Sequence, residues 1–258
     1  MFIARTLDSL PGVTGLHEGH APGEPPVPRL PRINLQNRQA WHNTSFARRT
    51  VAELRDRPTL ANAAGDADML IDVAFYNAPL LSSLAGLHPD AKLLVVFRRC
   101  ENFVRSATIV EGEDLQPAGW PHRNKPLTDR EQFIALGRLQ PQADSEDAAQ
   151  WENWTAIQRN IWLWTTINSH LLQLVESRPD CHALLYEDLA EEPRRFWSMA
   201  LEQLGLLTDA NLTQCTAHST TKVNHRASYQ IGPVGSWNTD EQTLYKQLAQ
   251  PLEKMIYD

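Results

Sequence analysis

Cysteine is scarce in this sequence, and its three cysteines lie far apart. Cys100, Cys181 and Cys215 form no Cys-x-x-Cys pair, so neither a structural zinc site nor a disulfide framework is expected. A chain of 258 residues buries enough surface on folding to be stable without either. Because sparse, unpaired cysteines are typical of reducing compartments, we expect a cytoplasmic protein.

Excess basic charge is also absent. The chain has 24 Lys and Arg against 31 Asp and Glu, which gives a net charge of −7. A protein whose main partner is a nucleic acid needs a basic face, so we exclude that class of partner and keep open only a local pocket for an anionic ligand. Long apolar runs are missing too, so no membrane anchor and no signal peptide are expected.

Short apolar runs alternate with helical patterns along the chain. This alternation is typical of an α/β fold with helices packed on a parallel sheet. We expect one domain over residues 1–258, in which the polar segment 111–150 is a lid or an insertion. The patterns predict strands at 13–16, 68–73, 92–97 and 182–186, and helices at 2–10, 78–87, 151–176, 196–204 and 241–255. Pro193 opens the helix over 196–204 and Gly205 ends it, and we expect Glu187 and Asp188 at the start of another helix.

Tryptophan is concentrated in the predicted helix 151–176. Its members at near-helical spacing are Trp151, Trp154, Trp162 and Trp164. Such side chains usually belong to the core, and we favour that role for them. Two alternatives stay open: the rings could line an apolar pocket for an acceptor molecule, or they could form a contact between subunits.

The run Lys92 to Phe97 is the clearest strand in the sequence, and it stops at Arg98-Arg99. An arginine at the end of a buried strand is costly unless it meets an anion or a carboxylate. Ser106 follows eight residues after Arg98, and we expect it early in a helix that begins around Asn102. A guanidinium and a hydroxyl could converge there on one phosphate. Spacing alone favours a structural ion pair for Arg98 and a solvent-facing Ser106.

Three segments of the chain resemble segments of a known protein family. They are PDAKLLVVFRRCENFVRS, LLYEDLAEEPRRFWSMALEQLGL and FIARTLDSLPGVTGLHE. The first resembles the 3′-phosphate-binding segment of sulfotransferases that use 3′-phosphoadenosine 5′-phosphosulfate (PAPS), in which a strand ends in Arg and a Ser follows eight residues later. The other two are similar to the Tyr-Glu-Asp-Leu helix segment and to the first helix of bacterial and Golgi-type members. Together they cover most of residues 2–110 and 180–207.

This resemblance implies a P-loop-kinase-like, three-layer fold with a central parallel sheet. It also implies transfer of a sulfuryl group from PAPS to a hydroxyl or amine of a small-molecule or glycan acceptor. The product would be 3′-phosphoadenosine 5′-phosphate (PAP), and no metal would be needed. A homodimer is left open.

The resemblance also implies roles for individual residues. Arg98 and Ser106 would hold the 3′-phosphate, Arg226 would close over it as a second cation, and Tyr186 would lie near the adenine. For the base that takes the acceptor's proton, Glu18 is the best match and His20 the next. His17 is close enough in sequence to substitute for either.

One expected part of the family pattern is missing from the printed sequence. The Gly-rich loop Pro-x-Ser-Gly-Thr-Thr, which holds the 5′-phosphosulfate, and the strand before it would precede Met1-Phe2. We expect Met1 to be an internal methionine of a longer protein; the alternative is a relic that binds the nucleotide weakly or not at all. Another P-loop-type transferase, such as a kinase, is the runner-up function.

Overall fold

The computed structural model describes residues 2–17, 41, 43–49, 65–108, 110–111, 116–117, 139–219 and 231–258. About 64% of the structure is helical and the remaining regular elements are short strands, so the predicted α/β class is confirmed. The chain forms two compact units, and the expectation of a single domain stays a prediction. The first unit comprises Met1–Val96 and Pro179–His225, and the second comprises Phe97–Arg178 and Arg226–Asp258.

Helices and strands alternate through most of the described chain. Up to the end of the third strand they are α1 (Phe2–Asp8), β1 (Val13–His17), α2 (Thr44–Arg49), β2 (Met69–Val73), a 3₁₀ helix (Phe75–Leu80), α3 (Leu81–Leu87) and β3 (Leu93–Phe97). The next are α4 (Cys100–Ala107), β4 (Val110–Glu111), β5 (Gln116–Pro117), α5 (Glu146–Trp151), α6 (Ala156–Ser177), β6 (Cys181–Leu185), α7 (Tyr186–Glu191), α8 (Pro193–Leu204) and α9 (Asp209–Ser219). The chain ends with a 3₁₀ turn (Val234–Ser236), α10 (Thr239–Leu244), a π-helical turn (Tyr245–Ala249) and α11 (Gln250–Tyr257).

The described strands make two parallel pairs and one hairpin instead of one continuous sheet. β1 pairs with β2 in parallel, with Val13 opposite Met69 and His17 opposite Val73. β3 pairs with β6, also in parallel. β4 and β5 form the antiparallel hairpin within the predicted lid, most of which lies outside the described residues.

One hydrophobic core in the first unit receives side chains from both parallel pairs. Val13 of β1 and Leu184 of β6 belong to the same buried cluster. Helix α8 supplies its largest rings, and Phe196 and Trp197 meet edge to face with centroids 5.2 Å apart. As predicted, α8 begins at Pro193 and is followed by Gly205, whose φ of 75° suits a residue without a side chain.

Helix α1 lies against β1 at a glycine. A Cβ atom placed on Gly15 would be 2.4 Å from the Ala4 carbonyl oxygen and 2.8 Å from the Asp8 amide nitrogen. The Gly15 amide also donates to the Asp8 carboxylate, with N and Oδ1 2.9 Å apart. Helix and strand backbones therefore approach each other at a distance that only glycine allows.

In the second unit, α4 packs against the long helix α6 and the C-terminal helices. Val104 of α4, Trp164 of α6 and Leu252 of α11 belong to one buried cluster. The predicted last helix, 241–255, runs from Thr239 to Tyr257 and contains a π turn just before Pro251. Because proline has no amide hydrogen to donate, the regular hydrogen-bond ladder is interrupted at this point.

Two predicted helices differ from those in the structure. The prediction of one helix over 151–176 is wrong, because α5 ends at Trp151 and α6 begins at Ala156. A capping box explains the new start: Thr155 Oγ1 accepts from the Gln158 amide, and the Gln158 side chain accepts from the Thr155 amide. Helix α4 begins at Cys100, not at Asn102, so Ser106 lies in its last turn instead of near its start.

The tryptophan side chains are core residues, as favoured from the sequence. The Trp151 ring contacts the rings of Trp154 and Trp162, with centroids 5.8 and 5.4 Å away, and all three are at most 9% exposed. Trp162 Nε1 also donates to Asp147 Oδ2 over 2.7 Å. Rings buried within one chain are unavailable as an acceptor pocket or as a contact between subunits.

Replacing Gly15 by alanine should destabilise the first unit. The new methyl group would overlap the backbone of α1, and overpacking of this kind costs about 1–3 kcal/mol. We expect Gly15→Ala to lower the free energy of unfolding in urea by about 2 kcal/mol. Gly235 is the matched control, because a Cβ there meets no atom within 4 Å, and its alanine variant should keep wild-type stability. Equal effects of the two substitutions would contradict the packing argument.

The stability of the protein should fall in mild acid through His170 of α6. Burial lowers the pKa of His170 from its ordinary value of 6.5, so the unfolded chain binds a proton more readily than the folded chain does. The free energy of unfolding should therefore decrease as the pH falls below about 6.5. His170→Gln should reduce this decrease when unfolding is measured between pH 5 and 7.5. His88→Gln, at an exposed site, is the control, and an equal reduction in both variants would refute the assignment.

Candidate functional site

Two adjacent arginines follow β3, and their environments differ. The strand buries Leu93, Val95 and Phe97. Arg98 is half-buried, and its Nε atom is inaccessible to solvent. Arg99 is exposed, and its guanidinium lies over the Tyr257 ring, 4.2 Å from the centroid. The C-terminal helix α11 thus contacts Arg99.

The turn between β3 and α4 is held from two sides by buried side chains. Trp164 Nε1 of α6 donates to the Arg98 carbonyl oxygen over 2.8 Å. The Cys100 amide donates to Glu253 Oε1 of α11 over 2.7 Å. Trp164 is 1% exposed and Glu253 is 8% exposed, so water does not compete strongly for either bond.

The far end of α4 is held as well. Arg105 Nε donates to the Ile231 carbonyl oxygen over 3.1 Å. Asn160 Nδ2 of α6 donates to Thr108 Oγ1 over 2.8 Å, and both residues are buried. Ser106, which is half-buried, lies between these two anchors. Arg98 and Ser106 therefore belong to one continuous segment, residues 98–108, whose two ends are fixed to its neighbours. We call it the anchored segment.

Cys100 and Tyr245, next to the start of α4, are held neutral. Burial first, and then the nearby carboxylates Glu253 and Glu101, raise the pKa of the Cys100 thiol well above its usual value. Burial and the hydrogen bond that Tyr245 donates to Glu253 raise the pKa of the Tyr245 hydroxyl. Cys100 is consequently a packing residue and not a nucleophile, and Tyr245 acts as a hydrogen-bond donor.

The first unit carries Tyr186 and the predicted acidic helix start. Tyr186 is the first residue of α7 and is 39% exposed. Glu187 and Asp188 lie in the first turn of α7, which confirms their predicted position at a helix start. An exposed ring at the end of β6 suits contact with a planar ligand, and the role near an adenine stays a prediction.

His17 is the last residue of β1, and its tautomer follows from one contact. His17 Nδ1 lies 3.0 Å from the Val73 carbonyl oxygen, which can only accept a hydrogen bond. Nδ1 must therefore carry the hydrogen, and in the neutral ring Nε2 carries the basic lone pair. The other predicted base candidates, Glu18 and His20, and the predicted cation Arg226 lie outside the described residues.

Neither a metal-ligand group nor a membrane-spanning helix occurs among the described residues. Across the described parts of the chain, no three His, Cys, Asp or Glu side chains are grouped as metal ligands would be. None of the helices described combines the length and the apolar character that crossing a membrane requires.

The residues that hold the anchored segment were not predicted from the sequence. Asn160 could have been identified from the sequence. It directly precedes the apolar run Ile161 to Trp164 on a buried helix, and a buried polar residue needs a hydrogen-bond partner. The sequence gives no indication that Glu253 is buried, since an acidic residue in a C-terminal helix is ordinarily solvated. Its partner, the Cys100 amide, lies 153 positions away in the chain.

Comparisons with known proteins identify no family for this chain. No family model matches the chain, and no curated protein and no solved structure is significantly similar to it.

Replacing Asn160 by leucine should loosen the far end of α4. The substitution leaves the buried Thr108 hydroxyl without this donor, and an unmet buried polar group costs about 1–3 kcal/mol. Urea unfolding should show a loss in that range. Asn168 on the same helix is the matched control, because its Nδ2 bonds only the Trp164 carbonyl one turn earlier. Asn168→Leu should cost less, and the reverse order would argue against the anchoring role.

Proposed function

We propose that this protein is a PAPS-dependent sulfotransferase in which Arg98 and Ser106 bind the 3′-phosphate of the nucleotide. The observation that carries the proposal is the anchored segment. An arginine leaves the end of a buried parallel strand, and a serine follows on the next helix. Hydrogen bonds hold the backbone at the start of the segment and the Thr108 side chain at its end. A segment fixed in this way loses little conformational freedom when it binds a ligand.

The chemistry of the two side chains suits a phosphate monoester. A guanidinium offers two parallel N–H donors to a pair of phosphate oxygens, and it stays charged at any physiological pH. A serine hydroxyl adds one donor of short reach. The choice of Arg98 over Arg99 follows the family pattern, in which the arginine that ends the strand lies eight residues before the serine.

The strand arrangement is consistent with the P-loop-kinase-like fold that the resemblance implies. In that fold the strand before the phosphate loop lies in the middle of the sheet. Here β1–β2 and β3–β6 share one core in the first unit, but among the described residues no ladder of hydrogen bonds joins the two pairs. This is the pattern expected when the described residues do not supply the central strand.

In the proposed reaction a base removes the proton of the acceptor hydroxyl or amine, and the acceptor atom attacks sulfur. The bond between sulfur and the bridging phosphate oxygen breaks, and PAP leaves with the electron pair. Glu18 is the first candidate base and His20 the second. His17 is an alternative, because its Nδ1 contact with Val73 leaves the lone pair on Nε2.

Arg98→Ala should weaken the binding of PAP measured by calorimetry. A charge-assisted hydrogen-bond pair is worth about 1.5–3 kcal/mol, so we expect a loss of roughly ten- to hundredfold in affinity. The affinity for adenosine 5′-phosphate, which lacks the 3′-phosphate, should change little in the same variant. Arg99→Ala is the matched control, because Arg99 packs on Tyr257, and it should bind PAP like the wild type.

Three outcomes would refute the proposal. The wild-type protein could fail to bind PAP, Arg98→Ala could bind PAP as tightly as the wild type, or the loss could be the same for PAP and for adenosine 5′-phosphate. The last result would mean that Arg98 contributes to folding or to general charge and not to recognition of the 3′-phosphate.

A further inference from the structure

A carboxylate of the protein itself lies at the start of α4. Glu253 Oε1 accepts from the amide of Cys100, the first residue of the helix, over 2.7 Å. The other Glu253 oxygen accepts from the Tyr245 hydroxyl. Negative charge is stabilised at a helix N-terminus, so Glu253 is favourably placed there despite its burial. The Cys100 amide is therefore engaged by Glu253 and is not available to a bound anion.

A phosphate on the anchored segment would therefore not be bound by the Cys100 amide. The direction of the Arg98 guanidinium depends on the backbone from residue 98 to residue 100. That backbone is fixed at the Arg98 carbonyl by Trp164 and at the Cys100 amide by Glu253. Loss of either bond would release this backbone and so change the direction in which the guanidinium points.

We infer that Glu253 is a positioning residue for phosphate binding by Arg98. It touches no ligand; it holds the first amide of α4 so that the guanidinium two residues earlier is oriented before the nucleotide arrives. The inference rests on the proposed function. It adds a dependence of nucleotide affinity on a residue 155 positions away from Arg98 in the sequence.

Glu241 is a matched control within the same unit. It is also a buried carboxylate, 6% exposed, and it also caps a helix, accepting from the Asn238 amide over 2.9 Å. Its second oxygen accepts from the Thr155 hydroxyl over 2.8 Å. Glu241 caps α10 instead of α4, so its replacement should affect stability without affecting the orientation of Arg98.

The experiment is a double-mutant cycle on PAP affinity, measured by calorimetry. Glu253→Gln should bind PAP about three- to tenfold more weakly than the wild type, the range expected for coupled neighbours. In the background Arg98→Lys, which retains a cation and measurable binding, Glu253→Gln should cause no further loss. Glu241→Gln should leave PAP affinity unchanged. If Glu253→Gln does not fold, Tyr245→Phe, which removes one donor to the carboxylate, replaces it in the same cycle.

The outcomes separate this inference from the proposed function. A wild-type protein that does not bind PAP overturns both. If Arg98 variants lose affinity and Glu253→Gln does not, only the positioning role is refuted. An equal loss in the Arg98→Lys background, or an equal loss in Glu241→Gln, would show a general effect on folding. Tighter binding by Glu253→Gln, which loss of a negative charge alone would produce, also overturns the inference.

Discussion

The indole of Trp164 donates a hydrogen bond to the Arg98 carbonyl and so fixes the backbone just before helix α4. A buried carbonyl at the end of a strand needs a donor, and here the donor belongs to the longest described helix of the second unit. Once this bond is made, Cys100 lies where Glu253 accepts its amide hydrogen, and α4 lies against α6. The path of the chain from residue 98 to residue 108 follows from these contacts.

The sequence predicted those elements whose signal is local. The apolar run before Arg98 made β3 recognisable, and Pro193 with Gly205 marked both ends of α8. Where a signal was overlooked, the prediction failed: Thr155 and Gln158 formed a capping box inside what looked like one continuous helix. The close approach at Gly15 was not predictable, because it depends on where α1 packs and not on the neighbours of Gly15 in sequence.

The residue types of the candidate site were predictable from the sequence, but the contacts that hold these residues in place were not. Arg98 and Ser106 could be chosen from a strand end and a spacing of eight residues, since those are properties of one short segment. Trp164, Asn160 and Glu253 act on that segment from distant parts of the chain, and no local pattern connects them to it. The contact between Arg99 and Tyr257 likewise could not be predicted, because it depends on where the C-terminal helix packs.

The chain passes between its two units three times, after residues 96, 178 and 225. Neither unit is therefore a contiguous stretch of the gene. During translation the ribosome must synthesise residue 225 before every segment of the first unit exists, and by then much of the second unit has already emerged. The core that β1 shares with β6 and α8 cannot be completed until residues 179–225 have been synthesised. Contacts within the first unit therefore join segments that leave the ribosome at well-separated times.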